Sequence, residues 1–339
     1  MRGCNLIHYD DSFFCWNSQS DGYGIDYLTG STFILSNSIT LYAKWLTYTV
    51  AFLPDTQSYV KYKEEVLTSQ IDWLINNKDN INLKFVGHEG DIVQDHESIL
   101  SQWEFMRTEM FKLTGSSISF STLPGNHDYV ENTRINTTLN EYFPLSAFSG
   151  MTTYGGSYDG NSDNTYHIIN INGNNLLILS LEFGPRDVVV DWANIILNTY
   201  SNTKTILLTH AYLRSNSEIL THVDNHAASN GYGLGTGPPD VNDGDDLWEK
   251  LVYPNNNIFF VISGHDGEID IGSALRVSGH SDGSQIIQIM SNFQYYPNFP
   301  GYLVLLRFSS TQISFRTYSP YLNQYKNDIY SQGDWNWSW

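Results

Sequence analysis

The sequence is short of cysteine, of basic residues and of long apolar runs, and each shortage excludes a class of protein. Two cysteines among 339 residues cannot by themselves form a zinc site. Lys and Arg number 17 against 36 Asp and Glu, a formal net charge of −19. A chain this acidic lacks the basic face that holds nucleic acid or an anionic membrane. The longest apolar runs have the length of strands and are too short to span a bilayer.

The N-terminus and the surface composition bear on the compartment. Met1-Arg2-Gly3-Cys4 opens no apolar segment, so no signal peptide is visible. Cys4 and Cys15 can pair in an oxidising compartment, although free thiols are the favoured interpretation. Charged residues make up only 16% of the chain, whereas Asn, Ser, Tyr and Gly are frequent. A polar surface with little charge is typical of exported proteins.

Residues 1–46 differ from the rest of the chain and predict a small all-β unit. Strands are expected over 13–17, 32–35 and 38–45, with a turn at Asp21-Gly22-Tyr23-Gly24. Together with Trp16-Asn17 and Leu41-Tyr42-Ala43-Lys44-Trp45, this pattern resembles the internalin-type β-grasp repeat of bacterial surface proteins. The resemblance covers most of 9–46 but lacks the usual first strand. It implies an extracellular or cell-surface setting and an N-terminus that is truncated.

From residue 47 onward, strands and helices alternate, which predicts an α/β fold. Strands are expected over 47–53, 82–87, 116–122, 204–209 and 257–263, and helices over 59–76, 97–113, 189–200 and 246–253. A hairpin is expected across Asn172-Gly173, and antiparallel strands over 284–290, 302–308 and 312–318. Residues 129–165 resist assignment, and 214–244 form a long loop able to cover a site. Residues 321–339 are an aromatic, polar tail without a clear period.

Polar side chains follow five of these predicted strands. They are Asp55 and Gln57, Asp91, Asn126 and His127, His210, and His265. Each has an ordinary explanation when taken alone, since Gly90-Asp91 is a common turn and a lone His210 is usually structural. Five such coincidences at successive strand ends are far less probable than one site, because open α/β sheets bind ligands there. Oxygen and imidazole ligands suit Mg, Mn, Fe or Zn, and a carboxylate bridges two cations naturally.

The densest chemistry lies in Leu123-Pro124-Gly125-Asn126-His127-Asp128-Tyr129. Asn126 can offer a carbonyl oxygen to a hard cation, and His127 can move a proton near neutral pH. Asp128 can orient an imidazole. The alternative is an ordinary Pro-Gly-Asn turn with a surface His and Asp, and only the other strand ends favour the chemical interpretation.

Five motifs resemble the signature of the calcineurin-like metallophosphoesterases, in the family's order and spacing. They are Pro54-Asp55-Thr56-Gln57, Gly90-Asp91-Ile92-Val93, Gly125-Asn126-His127-Asp128, Leu208-Thr209-His210 and Ser263-Gly264-His265. The resemblance covers residues 47–320 and implies a four-layer α/β/β/α sandwich that holds two divalent metal ions. The predicted division of the chain is therefore a β-grasp-like unit over 1–46, this domain over 47–320, and the tail over 321–339.

The resemblance also implies roles for individual residues. Asp91 would bridge the two metals; Asn126, His210 and His265 would complete one position, here called the second, and Asp55 would serve the other, the first. His127, oriented by Asp128, would assist the leaving group. The implied reaction is hydrolysis of a phosphomonoester or phosphodiester by a metal-activated water. The alternative is a catalytically weak or inactive binding module of a surface protein.

Two residues depart from the family pattern, and both belong to the first position. Gln57 stands where the family usually has His, and Gly267 stands where the second His of Gly-His-x-His belongs. A bacterial subgroup has a similar Asp-Thr-Gln motif, so Gln57 is compatible with activity, and its carbonyl favours a hard cation over zinc. Glu268, Asp266 or water are the alternatives for the ligand missing at 267.

Several points stay open on the sequence alone. The sequence does not distinguish among Mn, Fe, Zn, Mg and Ca as the metals. It also does not identify the substrate, which is a small molecule or another phosphorylated compound. Solvated loop positions are expected for His88 and His96. His222 and His226 either line the site or play no part in it, and His280 is not expected to reach His265.

Overall fold

A computed structural model of the chain describes residues 7–8, 11–20, 24–28, 30–34, 37–95, 99–129, 134, 137–267, 272–294 and 299–339. Cys4, His96, Glu268 and three residues of the turn predicted at 21–24 lie outside these ranges. Within them, none of the helices combines the length and hydrophobicity that a membrane-spanning segment needs.

In the described part of the chain, eighteen strands form three sheets. The strands are β1 Ile7–His8, β2 Asp11–Asn17, β3 Asp26–Tyr27, β4 Tyr42–Trp45, β5 Tyr48–Leu53, β6 Leu83–His88, β7 Phe120–Ser121, β8 Tyr154–Ser157, β9 Thr165–Ile171, β10 Asn174–Leu181, β11 Lys204–Thr209, β12 Ile258–Ser263, β13 Ser273–Gly279, β14 Gln285–Ser291, β15 Leu303–Phe308, β16 Gln312–Ser319, β17 Gln324–Lys326 and β18 Gln332–Asn336. The first large sheet has the order β17-β16-β15-β5-β6-β7, with β18 also on β16, and the second has the order β13-β14-β12-β11-β10-β9-β8. A small N-terminal sheet joins β1, β3 and β4 to β2.

The helices divide between the outer faces of the two large sheets. They are α1 Gln57–Tyr62, α2 Glu64–Asn77, α3 Leu100–Gly115, α4 Thr138–Tyr142, α5 Leu145–Ser149, α6 Asp187–Thr199 and α7 Gly244–Leu247, with a 3-10 turn at Asn126–Asp128 and a π-helical turn at Trp248–Val252. Helices α1–α5 cover the first sheet, and α6, α7 and the π-helical turn cover the second.

Alternation along the buried strands produces the layers. In β5, Ala51 and Leu53 face the helices of the first sheet, whereas Val50 and Phe52 face the second sheet. A strand buried on both faces supplies apolar side chains to two cores at once. The molecule therefore has one core between its sheets and one beneath each helical layer. The predicted four-layer α/β/β/α sandwich with an N-terminal all-β region is confirmed.

The structure differs from the sequence-based expectations in several elements. Residues 32–34 form no strand, and the predicted third strand is reduced to Phe120–Ser121. The helix expected over 59–76 is interrupted at Lys63, where φ is −160°, although the sequence contains no helix-breaking residue there. Strand β14 pairs parallel with β12 as well as antiparallel with the unpredicted β13. The tail supplies β17 and β18, which both pair with β16.

The sheet topology brings the predicted motifs together. Strands β5, β6 and β7 run parallel in the first sheet, and β10, β11, β12 and β14 run parallel in the second. Their carboxyl ends lie at one edge of the sandwich, where a backbone amide at residue 265 of the second sheet contacts Asp55 of the first. The loops that leave this edge carry the chemistry.

Candidate metal centre

Four predicted ligands converge at this edge. Nε2 of His210 lies 3.3 Å from Oδ1 of Asp91, 3.2 Å from Oδ1 of Asn126 and 3.2 Å from Nδ1 of His265. Ligand atoms of Asp91, His210 and His265 lie within 4.8 Å of one another, and all three residues are buried. Two nitrogens and two oxygens thus surround one point, which is the donor set of the second position.

Hydrogen bonds behind the two imidazoles fix which nitrogen faces this point. Nδ1 of His210 donates to the carbonyl of Glu89 at 2.8 Å, which leaves Nε2 for a ligand. Nε2 of His265 donates to the carbonyl of His226 at 2.8 Å, with the hydroxyl of Tyr232 3.3 Å away. Backbone carbonyls of this kind orient the histidines of metal sites. The long loop 214–244 therefore supports the second position through the main chain of His226 and through Tyr232.

The charges at the cluster favour a cation. Burial lowers the pKa of His210, but the carboxylates of Asp91 and Asp55 outweigh it and the pKa rises to about 9. Burial and the neighbouring His210 lower the pKa of His265 to about 3. Burial opposes ionisation of Asp91 too, yet His210 holds its pKa well below the usual carboxyl range. A proton on His210 thus neutralises part of the buried negative charge, and a metal ion would take over that role in competition with it.

Two of the predicted ligands have an unusual backbone conformation. Asp91 and His265 have φ values of 50° and 67°, in the left-handed region that non-glycine residues rarely occupy. Glycines bring the chain close to the carboxylates: a Cβ on Gly125 would lie 2.2 Å from Oδ1 of Asp91, and a Cβ on Gly264 would lie 2.0 Å from Oδ1 of Asp55. The motif glycines are required because any side chain would overlap a ligand.

The first position is built differently. Asp55 is fully buried, and burial raises the pKa of its carboxyl well above the usual range. Its Oδ2 accepts hydrogen bonds from the backbone amide of His265 at 3.2 Å and from Nδ2 of Asn292 at 2.9 Å. Gln57 is 1% exposed, and its buried Oε1 has no hydrogen-bond partner. The backbone amide of Gln57 donates to the carbonyl of Asp91 at 3.0 Å, and an orphaned buried acceptor on a residue held this near Asp91 fits a cation that it would help to hold.

His127 lies beside Asp91, and its imidazole is held by Gln94. The backbone amide of His127 donates to Oδ1 of Asp91 at 2.9 Å. Nδ1 of His127 lies 3.1 Å from Nε2 of Gln94 and 3.3 Å from the Gln94 carbonyl. The amide can donate to the neutral ring and the carbonyl can accept from the protonated ring, so both charge states find a partner.

The expectation that Asp128 orients His127 is wrong, because the Asp128 carboxylate points into the loop. It accepts hydrogen bonds from the backbone amides of Gly125 at 2.8 Å, Ile92 at 2.9 Å and Val93 at 3.2 Å. These contacts tie the loop that carries Asn126 and His127 to the loop that carries Asp91. Gln94 was missed as a candidate although it directly follows the Gly90-Asp91-Ile92-Val93 motif, and no local pattern reveals its contact.

The remaining candidates fall away from the cation positions. Oδ2 of Asp266 accepts from the backbone amide of Ser215 at 2.6 Å, so this carboxylate serves the long loop. His88 is fully buried and contacts Thr56 Oγ1 at 3.0 Å and the amide of Gly90 at 3.1 Å; its predicted solvated position is wrong. Both ring nitrogens of His280 contact backbone carbonyls, those of residues 253 and 258.

A comparison with family models decides the relationship. The model of the calcineurin-like phosphoesterases matches residues 48–268. The chain belongs to the calcineurin-like phosphoesterase family. The match contains all five predicted motifs, and residues 48–268 therefore form a phosphoesterase domain. The internalin-type repeat and the Asp-Thr-Gln subgroup stay predictions.

This calcineurin-like chain is similar to a curated protein in sequence and to solved structures in fold. The uncharacterized protein YvnB of Bacillus subtilis (strain 168) is 30% identical over 300 residues, which are 85% of this chain and 21% of YvnB. A dimetal phosphatase from Danio rerio has a TM-score of 0.54 and 11% identity, over 86% of this chain and 99% of its own. GAP50, the anchor in the inner membrane complex of Plasmodium, has a TM-score of 0.51 and 13% identity, over 86% and 89%. The chain thus spans about a fifth of the curated relative, and the structural likeness shows the fold.

Proposed function

We propose that this protein hydrolyses phosphate esters, monoesters or diesters, with the help of two divalent cations. The observation that carries the proposal is the convergence of Asp91, Asn126, His210 and His265 on one point, with both imidazoles oriented by carbonyls behind them. Asp55 and Gln57 lie at the neighbouring first position. The Danio rerio structure is that of a dimetal phosphatase. For the present chain, the binding of two cations is part of our proposal.

The cations and the protein would divide the chemistry between them. Bound divalent cations supply Lewis-acid catalysis, since they neutralise the phosphoryl oxygens and acidify a water nucleophile. His127 donates a proton to the departing oxygen, which is general acid catalysis worth about 100-fold to 10,000-fold. Gln94 holds Nδ1 of that ring and so leaves Nε2 free for the leaving group. Asp128 fixes the loop of Asn126 and His127 relative to the loop of Asp91.

A second candidate is a phosphoesterase-like binding module with weak or no activity. The observation that favours it is Gly267, which leaves the first position with fewer side chains to hold a cation. The fold accommodates both kinds of role, since one structural neighbour is a phosphatase and another an anchor. The hydrolase is preferred because Gln94 orients the His127 imidazole beside Asp91, and a binding module does not need an oriented imidazole there.

The substrate class is constrained by charge. With a net charge of −19, the protein has little positive surface with which to bind a polyanion, so we expect a small or singly phosphorylated substrate and no nucleic acid.

The compartment is a separate part of the proposal, and we propose an extracellular or cell-surface setting. Cys15 is a buried free thiol.

The test is hydrolysis of aryl phosphomonoesters and phosphodiesters. The protein is freed of metal by chelation, and Mn, Mg, Fe, Zn or Ca is then added back. We expect turnover that requires added cation and that falls by about 100-fold or more in His127→Ala. A well-folded protein that hydrolyses neither ester class with any of the metals would contradict the hydrolase and favour the binding module.

A further inference from the structure

We propose that the first cation position is an all-oxygen site that selects a hard divalent cation, with Asn292 as the residue that positions Asp55. This inference rests on the proposed function only in so far as it assumes a cation beside Asp55. It gives the two positions different chemistry: oxygen from Asp55, Gln57 and Asp91 in the first, and two imidazole nitrogens with two oxygens in the second.

The space beside Gly267 is already filled. A Cβ built on Gly267 would lie 3.3 Å from the Cβ, Cγ and Nδ2 atoms of Asn292, so the asparagine side chain packs directly on the glycine. Asn292 is 2% exposed. Any side chain at position 267 would crowd this amide from its Cβ onward, and glycine there leaves room for it.

The Asn292 amide has a fixed orientation. Nδ2 donates to Oδ2 of Asp55 at 2.9 Å and to the carbonyl of His265 at 3.0 Å. Oδ1 accepts from the backbone amide of Gln294 at 3.2 Å. Three partners settle which end of the amide is nitrogen, and the nitrogen faces the carboxylate. Asn292 therefore holds Asp55 and does not itself offer a donor atom to a cation.

In the part of the chain that the structure describes, the hydrogen-bond partners of the Asp55 carboxylate are the backbone amide of His265 and the side-chain amide of Asn292, with no imidazole nitrogen among them. The Asp266 carboxylate is engaged by the amide of Ser215, and both ring nitrogens of His265 are committed, one to the cluster and one to the carbonyl of His226. Oxygen donors remain, including the unpartnered Oε1 of Gln57. Mg, Mn and Ca prefer oxygen ligands, whereas imidazole suits Zn.

A further carboxylate reinforces the preference. Glu89 is fully buried, its oxygens accept from the hydroxyl of Ser291 at 3.0 and 2.8 Å, and one of them lies 3.5 Å from a Cβ built on Gly264. The same Cβ would lie 2.0 Å from Asp55. Asp55, Glu89 and Asp91 thus bring three buried carboxyl groups to this side of the cluster, and carboxyl oxygens are ligands that hard cations prefer.

The test measures cation binding alone, so that it is independent of turnover. Metal-free protein receives one equivalent of Zn and is then titrated with Mn, with bound Mn followed by electron paramagnetic resonance and total metal by mass spectrometry. We expect one Zn to bind tightly, a second Zn to bind at least about tenfold more weakly, and Mn to fill the first position as a mononuclear centre. Two zinc ions that bind with equal affinity would overturn the inference, whatever the activity.

Variants at Asn292 test the positioning role, and the chain offers a matched control. Asn292→Ala is expected to weaken Mn binding by about tenfold or more while one Zn still binds. Asn242 is also buried, and its Nδ2 contacts a backbone carbonyl at 2.8 Å and the Asp187 carboxylate at 3.0 Å, so Asn242→Ala should leave both metals unchanged. Equal Mn affinities in the two variants would refute the role of Asn292.

A double variant restores the nitrogen donor. In Gly267→His with Asn292→Ala, the imidazole has the space that the amide occupied, and we expect the second Zn to bind more tightly than in the unaltered protein. A folded double variant without that gain would contradict the assignment of the space beside Gly267 to the first position. If the binding results hold and no ester is hydrolysed, the inference stands and the proposed hydrolase fails.

Discussion

The two proposed cation positions would share Asp91, but their surroundings are assembled in different ways. At the second position, each imidazole has one nitrogen in the cluster and the other on a carbonyl, and the ligands lie 3.2 to 3.3 Å apart. At the first position, Asp55 is held by an asparagine and Gln57 Oε1 has no partner. The contrast indicates that a cation position can stay at the same point of the fold while its donor atoms change from nitrogen to oxygen.

The largest effect is expected where the two positions meet. Asp91→Asn removes the charge that both share, so both cations should be lost and turnover should fall on the order of 1000-fold. Metal content and turnover of the purified variant check this. If one cation stays bound with its original affinity, Asp91 is not a shared ligand and the two positions are independent.

A narrower substitution should affect the first position more than the second. In Gly264→Ala, the new Cβ would lie 2.0 Å from Oδ1 of Asp55, and the carboxylate cannot swing away freely because Asn292 holds its other oxygen. We expect the Mn of the first position to be lost, one Zn to remain, and turnover to fall about 100-fold. Gly115→Ala, where a Cβ meets no atom within 4 Å, is the control and should behave as the unaltered protein. A Gly264→Ala variant that keeps full Mn affinity would contradict the tight packing.

The neighbourhood of His127 separates catalysis from loop support. Gln94→Ala should lower kcat by about 10-fold to 100-fold and alter its pH profile, because Nδ1 of the His127 imidazole loses the side-chain amide and keeps only the more distant backbone carbonyl of residue 94. Asp128→Asn should instead lower the stability by about 1–3 kcal/mol, because buried backbone amides lose a charged acceptor. Thermal unfolding and pH–rate profiles of both variants distinguish the two roles. A shift of the pH profile in Asp128→Asn with unchanged stability would restore Asp128 as the orienting residue.

The smallest effect concerns the loop that supports the second position. Tyr232→Phe removes a hydroxyl 3.3 Å from Nε2 of His265, but the carbonyl of His226 lies closer, at 2.8 Å. We expect Zn affinity to fall by less than about threefold, since the stronger support remains. A loss of tenfold or more, measured by Zn titration, would show that Tyr232 is the main support of His265.

Sequence reasoning recovers the parts of the molecule that obey local rules. Buried strands such as 204–209 and 258–263 show as apolar runs, and a polar residue at the end of each marks the edge where ligands gather. The order of Asp55, Asp91, Asn126, His210 and His265 was therefore enough to predict one site. Gln57 and Gly267 are departures only by comparison with the family pattern that the chain resembles, in which histidine is usual at both positions.

The contacts that complete the site depend on long-range geometry. Asn292 is 237 residues from Asp55 in sequence, and it follows β14, whose neighbour β13 no pattern predicted. Gln94 meets His127 only because two loops are tied together by Asp128. The tail strands β17 and β18 pair with β16 although their sequence has no alternating pattern. They form strands because β16 offers an edge with which they can pair, and such context decides strand formation more than local sequence does.

The most direct test of whether the two positions need different cations is to restore activity with cations added singly and in pairs. Metal-free protein is assayed on its preferred aryl ester with Zn alone, with Mg or Mn alone, and with Zn together with Mg or Mn. We predict that full turnover needs the pair, with Zn at the imidazole position and the hard cation at the oxygen position. Full turnover with zinc alone would contradict it, because the two positions would then not differ in the cation that they need.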